Sequence, residues 1–149
     1  GSDVLKYRAD YQVIDNPYAK ADPIVVVPAI RADFAVIHVK MVDQFGNVYF
    51  GPDRDMALMA HASEQTLVTA ECVYDGNLLD DPLLAPATMS SIYVTAIGIA
   101  ERGAWPLGLR ENYAPDFEHL KLYRRMAKTS SGFSEYLEQY VSAEVQAVG

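Results

Sequence analysis

The sequence predicts an α/β domain of three layers, a mainly parallel sheet flanked by helices, and three observations carry that reading. Residues 24–27 and 34–39 are short apolar runs rich in β-branched side chains, the pattern of strands buried on both faces. Residues 53–63 change to helical spacing, and residues 66–70 return to a continuous apolar run. A strand, helix, strand order is joined most economically by a crossover connection, which makes its strands parallel.

Taken in order, Gly1-Ser2 reads as a cloning remnant. Residues 1–22 form an N-terminal arm, polar but weighted with Tyr7, Tyr11 and Tyr18, and Val13-Ile14 within it can be an edge strand. Residues 23–149 are then a single α/β domain. Its first strand, 24–27, closes at Pro28, and its second, 34–39, is interrupted only by His38. Gln44-Phe45-Gly46-Asn47 supplies residues that tolerate positive φ, so a tight turn is expected before Val48-Tyr49-Phe50 resumes an extended course up to Gly51-Pro52.

Asp53 can cap a helix with Met56, Met59, Ala60 and Ser63 on its inner face, widened by Leu58, and with Asp55 matching the dipole in the first turn. The strand 67–70 follows. Asp75-Gly76-Asn77 is a turn, and 78–86 a proline-bounded loop with room for a helical turn at Leu83-Leu84. Residues 92–99 are the last strand, both faces apolar and so both covered. Residues 102–115 hold too many breakers for a regular element and too many large side chains for a passive linker, the content of a binding loop. Pro115 opens a helix with Phe117, Leu120, Tyr123 and Ala127 inward, and 133–145 a second with Leu137, Tyr140, Val141 and Val145 inward.

Composition narrows the function classes. Half of the 149 residues are hydrophobic and 21% are charged, which suits a packed domain. Twelve basic against twenty acidic residues leave a net charge of −8, which argues against nucleic acid or an anionic membrane surface as partner. Cys72 is the only cysteine, so no intrachain disulfide is possible, and a reducing, cytoplasmic setting is expected. The apolar runs are too short to span a bilayer. Neither Cys72 nor the three histidines show ligand spacing, so no metal is expected.

The order Val27-Pro-Ala-Ile-Arg-Ala-Asp-Phe-Ala-Val-Ile-His-Val39, then Asp43-Gln-Phe-Gly-Asn-Val48, resembles a segment of family I coenzyme A transferases. The A-type subunit of the glutaconate CoA-transferase kind is the nearest in pattern. The likeness continues through Leu67-Val-Thr-Ala-Glu-Cys-Val-Tyr-Asp75 and through residues 92–103, and so runs from Pro23 onward. It implies a partial CoA-transferase-like fold. Subunits of this family are about twice as long and begin with a glycine-rich βα unit of which this chain has no trace. A C-terminal half of a larger subunit, or a naturally short relative, is therefore expected.

The resemblance also implies chemistry. Family I enzymes form a glutamyl-CoA thioester on a glutamate of the B-type half, because a carboxylate can exchange with both thiol and acid. That motif has glycine after its glutamate and asparagine, whereas Glu111-Asn112 is followed by Tyr113, so the nucleophile is not carried over to Glu111. No catalytic residue is assigned to this chain. The expected assembly includes a B-type subunit, an acyl-CoA and a carboxylic acid. CoA enters as a substrate thioester and no other cofactor is implied.

Three residues are candidates for substrate binding. Glu71 stands at the end of an apolar strand, where ligands of open sheets gather, although strand-end carboxylates are commonly solvated or capping. Gly46 and Asn47 can let backbone approach a ligand, or simply make a turn. His38 reads as a buried histidine bonded to a backbone carbonyl, and His61 and His119 as helix-surface residues. Arg102, Arg110, Arg124 and Arg125 can meet CoA phosphates or remain solvated. Two other readings stay open: a hydrolase or hydratase subunit on the same fold, and a non-enzymatic ligand-sensing or assembly module. Activity is not expected of the chain alone. A homo-oligomer is, with Trp105, Tyr113 or Phe133 at the interface.

Overall fold

The apolar runs at 34–39 and 67–70 become parts of the two longest strands, and the described site is built on them. In the computed structural model, which describes residues 3–142, the elements run α1 (Val4–Tyr7), β1 (Gln12–Ile14), β2 (Ile24–Val26), β3 (Ala32–Asp43), β4 (Val48–Tyr49), α2 (Asp55–His61), β5 (Ser63–Tyr74), β6 (Thr88–Met89), β7 (Ala96–Ile99), α3 (Phe117–Met126) and α4 (Ser130–Leu137). The expected remnant at Gly1-Ser2 and the inward position of Val145 lie outside the described residues.

A five-stranded sheet in the order β6-β4-β3-β5-β7 forms the body. β3 and β5 are parallel over nearly their whole length, Ala35 facing Thr66 and Val39 facing Ala70, and β7 joins β5 in parallel. β4 and β6 add antiparallel on the other side. The sheet is thus mixed, with a parallel centre made by the α2 crossover. One face of it holds the core: Ala35, Ile37, Val39, Val68 and Ala70 pack with Ala60 of α2 and with Val42, Val48 and Met89. Alternation along each strand sends the side chains between these to the opposite face.

Several expectations need correction. Residues 24–27 do not enter the main sheet: β2 pairs only with β1 in a separate two-stranded antiparallel ribbon, Val13 against Val25, and every position of both strands is exposed. Five residues with Pro28 among them separate β2 from β3, so the run is free to pair with its nearest apolar neighbour, Val13-Ile14, instead. The arm consequently forms half of a ribbon. Of residues 92–99 only Ala96–Ile99 is strand, all of it exposed, because Ser91–Tyr93 is a 3₁₀ turn whose amide at Ile92 is capped by the Ser90 hydroxyl.

The helices also turn differently. Arg54, not Asp53, occupies the N-cap of α2, Ser63 already belongs to β5, and Leu58 and Met59 point to solvent. In α3 the buried residue is His119, while Phe117, Tyr123 and Ala127 are exposed. In α4, which begins three residues before the expected start and continues as a wider π-helical turn over Glu138–Ser142, the buried residue is Tyr136; Leu137 and Val141 are exposed. The reason is a local aromatic core. His119 Nε2 lies 2.7 Å from the Tyr136 hydroxyl, and the Trp105, Tyr123 and Tyr140 rings pack around the pair, so aromatic rings with polar tips displaced the aliphatic stripe.

Candidate functional site

Parallel pairing puts the C-terminal ends of β3, β5 and β7 at one edge, and two carboxylates there organise the surrounding chain. The first is Asp43, the last residue of β3. Its Oδ1 accepts hydrogen bonds from the amides of Phe45 and Asn47, and its Oδ2 from Asn47 Nδ2 and the amide of Leu78, each at 2.9 Å. Asn47 also donates to Asn77 Oδ1 and accepts from the amide of Ser91, so its side chain ties β4 to two loops. Gly46 turns at φ +82°, and an added Cβ would lie 3.2 Å from Ser91 Cβ. Burial pushes the Asp43 carboxyl up, but the four hydrogen bonds outweigh it and leave the group below the usual range.

The second is Glu71, on the face of β5 opposite the core and, contrary to the expected strand end, within the strand, since pairing with β3 carries β5 on to Tyr74. Register places His38 beside Thr69, two positions earlier on the same face, so His38 lies between Thr69 and Glu71. His38 Nε2 is 2.8 Å from Glu71 Oε1, and Nδ1 is 2.8 Å from Thr69 Oγ1. With the proton on Nε2, the ring donates to the carboxylate and accepts from the threonine hydroxyl. The Tyr113 hydroxyl donates to Oε1 at 2.7 Å, and the amide of Arg102 to Oε2 at 2.6 Å. The side chains are well covered, 7% exposed for Glu71 and 16% for His38. Burial raises the Glu71 carboxyl, and the bonds from Tyr113, His38 and Arg102 more than reverse this, leaving it lowered. Tyr113 is raised, by burial first and then by its bond to Glu71.

Two of the partners of Glu71, Arg102 and Tyr113, belong to the 100–115 loop, which therefore lies pinned over the sheet. Arg102 takes φ +54°, its guanidinium sits 5.1 Å from the centre of the Tyr113 ring, and the amide of Ala104 donates to the Tyr113 hydroxyl. Gly103 presses on His38: a Cβ there would stand 2.7 Å from His38 Cε1. The loop then passes Trp105-Pro106, joined by a cis peptide, and Trp105 Nε1 donates to Asp116, the N-cap of α3.

Beside the hub lies a shallow cleft of about 30 Å³ whose lining includes His38, Lys40, Tyr49, Phe50, Met56 and Leu109. Arg110 and Asp53 face each other across it at 3.5 Å, and Glu111, at φ +63°, completes the rim. Lys40 makes no ion pair among the described residues. Among the described residues, no group of three His, Cys, Asp or Glu is placed to hold a metal ion, and no helix is long and apolar enough to cross a membrane.

The three candidate residues thus fall in two clusters with no hydrogen bond between them among the described residues. Gly46 and Asn47 sit with Asp43; Glu71 sits with His38, Thr69 and Tyr113. The polar atoms of Glu71 and Asn47 are all engaged within the chain. His38 is bonded to side chains rather than to a backbone carbonyl, and His119 is buried rather than on a helix surface, while His61 is exposed and stacks on Tyr93. Trp105 and Tyr113, expected at an interface between copies, are committed to Asp116 and Glu71. Arg124 and Arg125 lie exposed in the last turn of α3. Sequence reasoning missed Asp43, Thr69 and the role of Tyr113; a histidine in one apolar strand and a Thr-x-Glu in the next was the available signal.

No protein-family model matches the chain. It is 29% identical over 134 residues to the A-type subunit of glutaconate CoA-transferase from Acidaminococcus fermentans, covering 88% of this chain and 41% of that protein. To the cholesterol ring-cleaving hydrolase IpdA subunit of Rhodococcus jostii it is 26% identical over 150 residues, 95% of this chain and 51% of that protein. Among solved structures, the glutaconate coenzyme A-transferase of A. fermentans superposes with a TM-score of 0.79 at 27% identity, over 89% of this chain and 42% of that one. A variant of the decarboxylase AibA/AibB gives 0.78 at 26% identity, over 95% and 50%. The chain spans about half the length of these relatives. Its mixed sheet, its crossover helix and its likeness in both sequence and structure make it a CoA-transferase A-subunit-like domain.

Proposed function

We propose that this chain is the part of an A-type subunit that shapes the acyl site of a CoA-transferase, moving CoA between an acyl-CoA and a carboxylic acid, with the nucleophilic glutamate supplied by a B-type partner. The carrying observation is the double likeness, in sequence and in structure, to glutaconate CoA-transferase. The geometry supports the division of labour. A nucleophilic carboxylate must present a free oxygen to the thioester, whereas Asp43 and Glu71 both spend theirs on the fold. Glu71 acts on the substrate through the 100–115 loop that it holds beside the cleft, and Gly46 and Asn47 through the turn that fixes the end of β3. CoA is a substrate in this scheme, and no further cofactor takes part.

The chain by itself is inactive: after incubation with acyl-CoA, borohydride reduction detects no thioester on it. Reconstitution with a B-type subunit, together with the remaining part of an A-type one, restores CoA exchange. A thioester on the isolated chain overturns the assignment. The likeness to a ring-cleaving hydrolase subunit favours hydrolysis as the second reading, and the same reconstitution, which then releases free CoA without exchange, identifies it. Copies of the chain also associate in this proposal; a mass of 16.5 kDa by light scattering at every concentration rejects that part.

A further inference from the structure

α3 and α4, joined by residues 127–129, touch through the rings of Tyr123 and Tyr136, and each helix turns another side outward. On α3 that side holds Phe117, Lys121, Arg124 and Lys128 at helical spacing, with Arg125 beside them, and Phe117 is 64% exposed. On α4 and its π-helical continuation it holds Phe133, Leu137 and Val141, 39%, 36% and 48% exposed, with Glu135 and Glu138 on their flank. Four of the twelve basic residues of the chain thus fall within residues 121–128, whereas residues 130–142 carry two acids and no base. Lys121 pairs with Glu118 of its own helix, but Arg124, Arg125, Lys128, Glu135 and Glu138 make no ion pair among the described residues. The α3 dipole favours cations in its last turn; Glu138, at the C-cap of α4, stands where the dipole disfavours an anion, so its own helix does not account for it.

We propose that this helix pair is where two copies of the chain meet, α3 of each copy lying over α4 of the other about a two-fold axis. The inference rests on the self-association proposed above and gives it a surface. What selects a second copy is charge complementarity. A two-fold arrangement of α3 over α4 sets three free cations against two free anions, and does so twice, whereas α3 over α3 or α4 over α4 opposes like charges. The apolar residues supply the centre of the contact: Phe117 of one copy packs on Phe133, Leu137 and Val141 of the other, and the charged pairs form the rim. Of the three aromatic residues expected at an interface, Phe133 is the one that stays uncommitted, since Trp105 and Tyr113 are bonded within the chain.

Sedimentation equilibrium on the 149-residue chain tests this. The parent chain gives twice 16.5 kDa at micromolar concentration, and its association weakens about ten-fold as ionic strength rises from about 0.05 to 0.5 M. Two charge-reversed chains are then compared, one with Arg124→Glu, Arg125→Glu and Lys128→Glu, the other with Glu135→Lys and Glu138→Lys. All five positions are exposed, so both keep the circular dichroism of the parent, yet each alone is monomeric because it sets like charges against like at both contacts. Mixed in equal amounts they form a dimer again, since the acidic α3 of one meets the basic α4 of the other and the two unaltered helices still attract. A mass of 16.5 kDa for the parent at every concentration overturns both this surface and the association it rests on. A parent dimer that survives either reversal, or that is lost in both and not regained on mixing, overturns the surface and leaves the association standing. No B-type subunit, acyl-CoA or activity enters the test, so its outcome is independent of the CoA-transferase reading.

Discussion

Asp43 and Glu71 are acids of neighbouring parallel strands, one closing β3 and the other three residues before the end of β5, both covered and both fully hydrogen-bonded, yet they do different work. Asp43 closes its own turn: three of its four bonds come from residues two and four positions ahead, and only the Leu78 amide is distant. Glu71 takes all its bonds from afar, from His38, Arg102 and Tyr113. The first is a turn cap that any β3–β4 connection would need. The second is a latch that holds a long loop against the sheet, and it is the one placed beside the cleft. Bonding range, more than burial or charge, separates a residue serving its own segment from one assembling a site.

The largest expected effect tests the cap. Asp43→Ala leaves three backbone amides without acceptors in a buried position and should cost on the order of 3 kcal/mol in chemical denaturation. Asp43→Asn, which keeps one oxygen, should recover part of that loss. If Ala and Asn behave alike, the turn depends on the charge and not on the geometry.

Glu71→Gln should cost about 2 kcal/mol, since it keeps the shape but weakens charge-assisted bonds to Tyr113, His38 and the Arg102 amide. Its signature is spatial: faster hydrogen exchange across residues 100–113, with residues 66–70 unchanged. Uniform loosening of the sheet would make Glu71 a core residue and erase the contrast with Asp43.

Gly103→Ala should act on the same latch from the other side, with a loss of about 1–2 kcal/mol, because its Cβ meets His38 Cε1 at 2.7 Å and the Ala100 carbonyl at 2.9 Å. Loop exchange should rise as in Glu71→Gln. The double variant should be less than additive, since both changes free one loop.

Acid compares the two carboxylates directly. Both are held below their usual range in the folded chain, so each contributes stability that is present above the unfolded-state value and lost as pH falls through the folded one. Stability should therefore decline on acidification. Glu71→Gln and Asp43→Asn should each remove part of that slope, and the variants should converge on the parent at low pH. The smallest effect belongs to the ribbon: Val25→Thr, exposed in β2, should change stability by no more than about 0.5 kcal/mol.

Local sequence decided what depends on neighbours along the chain. The runs at 34–39 and 67–70 were strands because alternating and continuous apolar residues can be buried no other way at that length, and the helical spacing between them required the crossover that made them parallel. The turn at Gln44-Phe45-Gly46-Asn47 was legible for the same reason, its chemistry lying within five residues of Asp43. Tertiary structure decided what depends on which apolar surface reaches which. Residues 24–27 and 34–39 are both apolar, β-branched-rich runs, yet one pairs locally in an exposed ribbon and the other runs through the sheet, because burial is won by the run that finds α2 and β5. Tertiary structure also decided the latch. Glu71 and Tyr113 are 42 residues apart, and no local pattern encodes that a carboxylate of β5 will meet a loop phenol; only the register of β3 on β5, and the return of the loop across them, brings the acceptor to its donors.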